Sequence, residues 1–259
     1  MQIKPLFDLK DKVAVVTGAS KGIGKSMARG LAEFGAKVVV SSRKQDAVDA
    51  VAEEFKAEGL EAIGIACHVG KKEQRTALIE KTVEHYGKVD VLINNAATNP
   101  YFGPIDQMTE EIYHKTMQIN LDAALFLSNL VYPIMKQNGG GSIIHISSIE
   151  GLHASAGFAA YNLSKAALVM LTKNQAAEWG SDNVRVNVIC PGLVQTKLSQ
   201  MLWQNEAILR KAEQKIPMNR MAQANEMAGL AVFLASDAAS YMTGATLVND
   251  GGILNAELF

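Results

Sequence analysis

The first structural unit of the chain opens with Val13-Ala14-Val15-Val16-Thr17-Gly18-Ala19-Ser20-Lys21-Gly22-Ile23-Gly24. Its initial run of apolar and β-branched residues predicts a strand that is buried on both faces. The glycines that follow allow a sharp turn and a close approach of a diphosphate, and the helix after them presents unpaired N–H groups at its positive end. In many proteins such a glycine cluster is only a turn. Its position in the first βα unit favours a dinucleotide-binding loop, although the spacing is G-x-x-x-G-x-G rather than the common G-x-G-x-x-G.

Similar short apolar runs recur along the chain, separated by segments with helical spacing. The predicted strands are Val13–Thr17, Lys37–Ser41, Ala62–Ala66, Val89–Asn94, Ser142–Ser147, Val184–Ile189 and Ala245–Val248. This alternation predicts an α/β fold, a Rossmann-type doubly wound sheet of seven mainly parallel strands with helices on both faces. No linker or repeat divides the pattern, so residues 1–259 are expected to form a single domain. Its cofactor half spans about 10–140 and its catalytic and substrate half about 141–259.

Composition and charge indicate a soluble globular protein. The 259 residues include 25 Lys and Arg against 26 Asp and Glu, and 48% of them are hydrophobic. Intrinsic disorder is excluded because it requires few apolar residues and a high net charge. The near-neutral charge removes the main electrostatic reason to expect nucleic acid as a partner. No apolar run is long enough for a signal peptide or a membrane span, so we expect a cytoplasmic protein without a membrane partner.

The cysteine and histidine content argues against a metal site. Cys67 and Cys190 form no CxxC pair, which excludes a disulfide scaffold or a cysteine-rich zinc site and fits a reducing compartment. The remaining candidate ligands, the histidines, show no metal-ligand spacing, so no metal is expected.

Two segments are too apolar for helices with a single buried stripe. Leu121–Met135 and Tyr161–Trp179 carry apolar residues around most of the helix circumference. Such helices must be buried on two sides, and one side can face the sheet. The other side predicts a subunit interface; the alternative is a core helix covered by a loop.

The residues after the second predicted strand indicate which dinucleotide binds. An acidic residue about 20 positions after the glycines would bond the ribose 2′-hydroxyl and select NAD. Here Ser42 stands near that point and Arg43 follows it, with no acidic residue within three positions of Ser42. A guanidinium at Arg43 and an ammonium at Lys21 would pair with a 2′-phosphate. The sequence therefore predicts NADP(H) rather than NAD(H), unless Arg43 is only a solvated surface cation.

Four residues form a candidate catalytic group. Tyr161 and Lys165 are one helical turn apart on the same face, and a nearby lysine cation favours the phenolate and lowers the tyrosine pKa. Ser148 ends the fifth predicted strand, where its hydroxyl can point at a bound carbonyl. Asn120 lies in the apolar segment Met117–Leu127, predicted as a helix, which is a costly place for an amide without partners. A lone Y-x-x-x-K occurs by chance in many proteins, but its conjunction with the glycine loop and Asn94-Asn95-Ala96 is specific.

At these residues the chain resembles the short-chain dehydrogenase/reductase family, from Thr17 to Gly252. The other matching motifs are Asn94-Asn95-Ala96-Ala97, Pro191-Gly192 and Ser240-Tyr241-Met242-Thr243-Gly244. The resemblance implies a seven-stranded Rossmann-type sheet and a homotetramer. It also implies a catalytic tetrad of Asn120, Ser148, Tyr161 and Lys165, in which Tyr161 exchanges a proton with the substrate oxygen and Ser148 hydrogen-bonds that oxygen. By the same resemblance Lys165 binds the nicotinamide ribose and tunes Tyr161, and Asn120 holds a water of a proton relay.

The motifs and the resemblance together give a set of expected cofactor contacts. That set is Gly18, Ser20, Lys21, Gly22, Ile23, Gly24, Ser42, Arg43, His68, Val69, Asn94, Ala96, Tyr161, Lys165, Pro191, Gly192, Val194 and Thr196. One position departs from the family pattern, because the third strand usually ends in Asp-Val and here ends Cys67-His68-Val69. Two interpretations are open: His68 bonds or stacks on the adenine in place of the aspartate, or it is a partly exposed histidine at a strand end.

The expected substrate pocket is apolar and aromatic, which suits a neutral carbonyl compound. The residues expected to form it are Ser148, Tyr161, Leu152, His153, Phe158 and Trp203. Within the family the chain is most similar to the NADPH-dependent carbonyl and retinal reductases of the peroxisomal animal branch, through stretches such as Cys67–Lys71 and Leu198–Trp203. We therefore expect reduction of ketones, aldehydes or dicarbonyls. The alternatives are a 3-oxoacyl-carrier-protein reductase and, from a different class, a catalytically silent NADPH-binding sensor or scaffold.

Overall fold

A seven-stranded parallel sheet forms the centre of the computed structural model, which describes residues 2–256. The strands are β1 Val13–Thr17, β2 Lys37–Ser42, β3 Ala62–Ala66, β4 Val91–Asn94, β5 Gly141–Ile146, β6 Val184–Pro191 and β7 Thr246–Asn249. Their order is β3-β2-β1-β4-β5-β6-β7, and all neighbouring pairs are parallel. The chain reverses its winding between β1 and β4, and such a switch point opens a crevice at the carboxyl ends of the strands. The predicted fold class is confirmed.

Helices cover both faces of the sheet. They are α1 Gly22–Glu33, α2 Gln45–Ala57, α3 Lys72–Tyr86, α4 Glu110–Met117, α5 Ala123–Gln137, α6 Ala159–Trp179, α7 Gln200–Trp203, α8 Glu206–Glu213 and α9 Ala228–Ala235. The core on one face is built by α1, α2 and α9, and the core on the other by α3, α5 and α6. Within residues 2–256, no helix combines the length and the apolar character needed to cross a bilayer.

Burial on both faces explains why the strands read as unbroken apolar runs. Along β1, Ala14 and Val16 pack into the core on one face, whereas Val15 packs into the core on the other. All three side chains are fully buried. A strand of an antiparallel sheet with one wet face would have shown polar residues at every second position.

One predicted helix is interrupted. The segment predicted as continuous from Met117 to Leu127 contains a π-helical turn at Gln118–Asp122, between α4 and α5. A π-turn adds a residue to the helical turn and is frequent at functional sites. The residue at its centre is Asn120, whose side-chain contacts explain the local widening.

Candidate active site

The glycine loop after β1 forms a cradle that excludes side chains. A Cβ added to Gly24 would lie 2.5 Å from the carbonyl oxygen of Gly18 and 2.4 Å from Nδ2 of Asn95. No side chain caps the start of α1, so its first N–H groups remain available to an anion. This cradle therefore fits the diphosphate of a dinucleotide.

A cleft of about 1510 Å³ extends from this cradle along the carboxyl ends of the strands. It is larger than the roughly 300–1,000 Å³ of a site for one small molecule, so a dinucleotide and a second ligand can share it. The expected cofactor residues that line it are Gly18, Ser20, Lys21, Gly22, Ile23, Gly24, Ser42, Arg43, His68, Val69, Ala96 and Thr196.

Three cations stand at the β1–β2 end of the cleft. Lys21, Arg43 and Lys44 are exposed and form no ion pair or side-chain hydrogen bond with any residue between 2 and 256. The ion pairs that do form in this half of the chain lie mostly on helix surfaces, where they join arginine or lysine to glutamate. The cleft thus has an electropositive corner with free donors for a phosphate.

Several expected cofactor residues lie outside this cleft, Tyr161 and Lys165 among them. Asn94 is buried, and its Nδ2 donates to Oγ of Ser128 at 3.2 Å. As the last residue of β4, it projects its side chain into the protein, so the expected contact of that side chain with a cofactor ribose does not fit the geometry. Pro191 belongs to β6, Val194 is buried, and a Cβ on Gly192 would meet Asp250. Of the stretch 191–196, the cleft is lined by Thr196.

The neighbouring Asn95, rather than Asn94, is the asparagine of this motif that lines the cleft. Its Nδ2 donates to the carbonyl oxygens of Thr17 and Gly18, at 2.9 and 3.2 Å, and so ties the glycine loop to the end of β4. The motif Asn94-Asn95-Ala96 contained this signal, but the alternation of side chains at a strand end decides which asparagine faces the ligand.

His68 lines the cleft beside Val69 at the end of β3. Its Nδ1 accepts a hydrogen bond from the N–H of Gly70 at 3.2 Å. In the neutral ring Nε2 then carries the hydrogen and is the nitrogen left for a ligand. This half-buried position is compatible with contact to an adenine.

Ser148, Tyr161 and Lys165 come together at the end of β5. The turn Ile149–Gly151 follows Ser148, and a Cβ on Gly151 would lie 2.7 Å from the carbonyl carbon of Lys165. The glycine therefore allows this turn to pack directly against α6. Nζ of Lys165 lies 5.5 Å from the centre of the Tyr161 ring and donates to the carbonyl oxygen of Ile146 at 2.7 Å.

The protonation equilibria at this group are dominated by burial. Burial raises the pKa of Tyr161 to about 12, and a hydrogen bond with Ser148 acts in the opposite direction. Burial also lowers the pKa of Lys165 to about 8. The expected lowering of the tyrosine pKa by the lysine cation is therefore not seen in the protein alone, where burial is the largest influence on Tyr161.

Asn120 holds the π-turn against two other segments. Its Oδ1 accepts from the N–H of Thr98 at 2.8 Å, and its Nδ2 donates to the carbonyl oxygen of Thr98 at 2.9 Å and to Oγ of Ser164 at 3.0 Å. These partners meet the cost of burying an amide in an apolar helix. Asn120 thus links the loop after β4 to the turn of α6 that follows Tyr161.

A small cavity lies directly behind the cleft, and the two share Val69, Ala96 and Ile119 in their walls. Its volume of about 10 Å³ is close to the space of one water molecule. Thr17, Asn94, Asn120 and Lys165 contribute the polar side chains of its wall.

None of the expected substrate residues lines the large cleft. Leu152 and His153 are exposed, and Phe158 packs edge-to-face on Phe102 with ring centres 5.0 Å apart. Trp203 donates from Nε1 to the carbonyl oxygen of Thr196 at 3.0 Å. The tryptophan therefore supports Thr196, whose side chain lies against Gly22 of the glycine loop. Lys197 and Leu198, which the sequence did not assign, line the cleft beside Thr196.

Replacing Lys165 by Met should stabilise the fold near neutral pH. The pKa of Lys165 is lowered in the folded protein, so folding disfavours the ammonium below pH 8, and this penalty disappears as the pH rises from 8 to 10.5. The variant should gain about 3 kcal/mol from removing the buried charge at pH 6.5 and lose about 1 kcal/mol with the hydrogen bond to Ile146. Urea unfolding at pH 6.5 and at pH 10 measures the difference.

Lys173→Met is the matched control, because Lys173 is an exposed residue of the same helix. Its effect on the free energy of unfolding should be small and the same at both pH values. A Lys165→Met effect that does not change between pH 6.5 and pH 10 would contradict the prediction.

Comparison with known proteins finds relatives that match nearly the whole chain. A protein-family model described as Enoyl-(Acyl carrier protein) reductase matches residues 18–254. The rabbit (Oryctolagus cuniculus) protein named Dehydrogenase/reductase SDR family member 4 is 44% identical over 94% of this chain and 94% of its own length.

Solved structures with this fold hold either form of the cofactor. A gluconate 5-dehydrogenase from Burkholderia cenocepacia, in complex with NADP and tartrate, has a TM-score of 0.93 at 33% identity and covers 97% of this chain and 98% of its own. A 7α-hydroxysteroid dehydrogenase, complexed with NADH and 7-oxo glycochenodeoxycholic acid, has a TM-score of 0.93 at 34% identity, with coverage of 97% and 98%. The chain belongs to the short-chain dehydrogenase/reductase family and is an oxidoreductase of that family.

Proposed function

We propose that this protein reduces ketones, aldehydes or dicarbonyl compounds to alcohols with NADPH. The observation that carries the proposal is the meeting of Ser148, Tyr161 and Lys165 at the end of β5, in a protein whose β1 is followed by a glycine cradle suited to a dinucleotide. A silent sensor or scaffold would have no need for this arrangement. When bound, the reduced nicotinamide supplies a hydride to the substrate carbon.

The side chains of this group supply the proton and hold the carbonyl. Ser148 donates a hydrogen bond to the carbonyl oxygen, which aligns it with the hydroxyl of Tyr161. Tyr161 gives its proton to that oxygen as the alcohol forms. A tyrosine pKa of about 12 keeps this proton in place at neutral pH, so the group is poised as an acid in the direction of reduction. Lys165, as a cation, stabilises the phenolate that remains.

The substrate class follows from the side chains around the site. Leu152, Phe102 and Phe158 are apolar, and Phe102 is 70% exposed. An apolar rim of this kind favours a neutral or aromatic carbonyl compound over a phosphorylated one. The family model's description favours a second candidate, a reductase that acts on acyl chains held on a carrier protein.

A substrate panel separates these two candidates. We expect rapid NADPH oxidation with an aromatic vicinal diketone, with an aromatic ketone or with retinal, and little with an acetoacetyl thioester. Tyr161→Phe should lower turnover on every accepted compound by about 100-fold or more, because it removes the proton donor. The thermal stability and the Kd for NADPH of this variant serve as its controls.

The opposite order of rates, with the thioester fastest, would favour the acyl-carrier reductase. Unchanged turnover in Tyr161→Phe would contradict the role of the tyrosine as proton donor.

We propose NADPH as the preferred cofactor because of the electropositive corner of the cleft. Arg43→Leu should raise the Kd for NADPH by about tenfold or more and leave the Kd for NADH within about twofold, since a charge-assisted hydrogen bond to a phosphate is worth about 1.5–3 kcal/mol. Fluorescence titration with each cofactor measures both constants. Lys81→Leu, which removes an exposed charge on α3, is the control. An equal loss for NADPH and NADH would contradict a contact with the 2′-phosphate.

We also propose that the protein is a homotetramer. Phe126 on α5 and Leu163 and Met170 on α6 are 46%, 51% and 55% exposed, on helices whose other faces pack on the sheet. Multi-angle light scattering at micromolar concentration should give about four times the 27.8 kDa of the chain. A charge placed at the interface, as in Met170→Glu, should lower that mass, whereas a monomeric wild-type protein would contradict the proposal.

A further inference from the structure

Four polar side chains form a buried network behind the site that the mechanism above does not use. They come from four different elements: Asn94 of β4, Ser128 of α5, His145 of β5 and Gln175 of α6. None is more than 6% exposed. Asn94 lies between Ser128 and His145, and His145 lies between Asn94 and Gln175.

The hydrogen bonds of the network fix the state of His145. Oε1 of Gln175 can only accept, and it lies 2.9 Å from Nε2 of His145, so Nε2 carries the hydrogen. Burial lowers the pKa of His145 to about 4, and the ring is neutral at neutral pH. Nδ1 therefore presents a lone pair. It accepts from Nδ2 of Asn94, at 3.3 Å.

This tautomer decides which way the carboxamide of Asn94 faces. Its Nδ2 is directed to the two acceptors, Nδ1 of His145 and Oγ of Ser128, so its Oδ1 is turned away from them. Oδ1 is buried and has no hydrogen-bond partner among residues 2–256. Nε2 of Gln175, at the other end of the network, is likewise buried without a partner among these residues. A buried carbonyl oxygen without a protein partner is uncommon, and an ordered water is one of the groups that satisfy it.

Asn94 and Lys165 both line the cavity of about 10 Å³ that has room for one water. The other amide in its wall, Asn120, already uses its oxygen and both donor hydrogens on Thr98 and Ser164. Oγ1 of Thr17, which also lines the cavity, is occupied by Ile93, Asn95 and Ala96. Among residues 2–256, the side-chain acceptor of this wall that has no hydrogen-bond partner is therefore Oδ1 of Asn94.

We propose that His145 is a positioning residue for the reaction: through Asn94 it holds Oδ1 toward a water that bridges Asn94 and the ammonium of Lys165. The Lys165 ammonium donates to the water, and the water donates to Oδ1. No bond is made or broken in this arrangement, and its effect is to favour the charged form of Lys165. The inference rests on the proposed function for its kinetic consequence and on the protein alone for its effect on Lys165.

The surroundings of Lys165 make it sensitive to such a neutral acceptor. The titratable groups that face it are Tyr161 on its own helix, Cys190 on β6 and the neutral His145 on β5, while Glu150 acts on Tyr161. Within the described part of the chain no carboxylate pairs with Lys165. The carbonyl oxygen of Ile146 and the proposed water are then the groups that stabilise the ammonium.

The direct test is the pKa of Lys165 in the full protein, measured by NMR with ¹³C-labelled lysine and assigned with Lys165→Met. His145→Phe keeps the aromatic volume but removes the acceptor for Asn94, so the carboxamide is free to turn its NH₂ toward the cavity. We expect the pKa of Lys165 to fall by about half a unit or more in this variant, which is about a threefold change in the ionisation constant.

Two further variants show whether the effect passes through Asn94. Asn94→Leu should lower the pKa of Lys165 in the same way, and the double variant with His145→Phe should lower it no further. Gln175→Met leaves His145 in place but removes the acceptor that selects its tautomer, so a smaller fall is expected. It also serves if His145→Phe does not fold. Thr172→Val removes a buried hydroxyl of the same helix outside the network and should leave the pKa of Lys165 unchanged.

Kinetics provides the second readout. In the direction of reduction, the alkaline limb of kcat should move to lower pH in His145→Phe by the same amount as the pKa of Lys165, with the KM for NADPH within about twofold of wild type. A wild-type protein that turns over no carbonyl compound would refute the proposed function, while the NMR result would still decide the role of His145. An unchanged pKa of Lys165 in folded His145→Phe or Gln175→Met, or additive effects in the double variant, would overturn the inference.

Discussion

The buried ammonium of Lys165 is the constraint around which the site is built. It is 2% exposed, and desolvation lowers its pKa to about 8. The fold keeps a cation in this position by surrounding it with neutral acceptors: the carbonyl oxygen of Ile146 contacts it, and the small cavity beside it has room for a water. An acidic partner would hold the charge more firmly, but it would also fix the lysine as an ion pair and remove its influence on Tyr161.

All strands of the parallel sheet have their carboxyl ends at the same edge, so polar groups from several strands lie close together there. Thr17 ends β1 and accepts from the N–H groups of Asn95 and Ala96, which joins the glycine loop to the end of β4. Asn94 ends β4, and His145 lies near the end of β5. A layer of buried polar groups therefore lies under the cleft at the switch point between β1 and β4, where the two halves of the winding diverge.

Much of this architecture could be predicted from sequence, because its signals are local. Unbroken apolar runs locate the strands of a sheet covered on both faces, and the observed strand ends lie within two residues of the predicted ones. The spacing of Tyr161 and Lys165 places both on one helical face. What sequence could not show were the contacts between distant segments. The π-turn at Gln118–Asp122 depends on Thr98 and Ser164, and the inward direction of Asn94 depends on Ser128 and His145. The sign of the pKa change of Tyr161 depends on burial, which no spacing of residues encodes.

The two kinds of cation in this site illustrate why the same charge has opposite consequences in different surroundings. Arg43 is exposed and has no partner among residues 2–256, so it is ready to meet a phosphate at little desolvation cost. Lys165 is buried, so its charge is costly and small changes in nearby acceptors alter the balance between its two forms. Affinity for an anionic cofactor can thus be adjusted at the rim without disturbing the proton chemistry. Adjusting the proton chemistry requires changes inside the core, where each polar group is already tied to the packing of several elements.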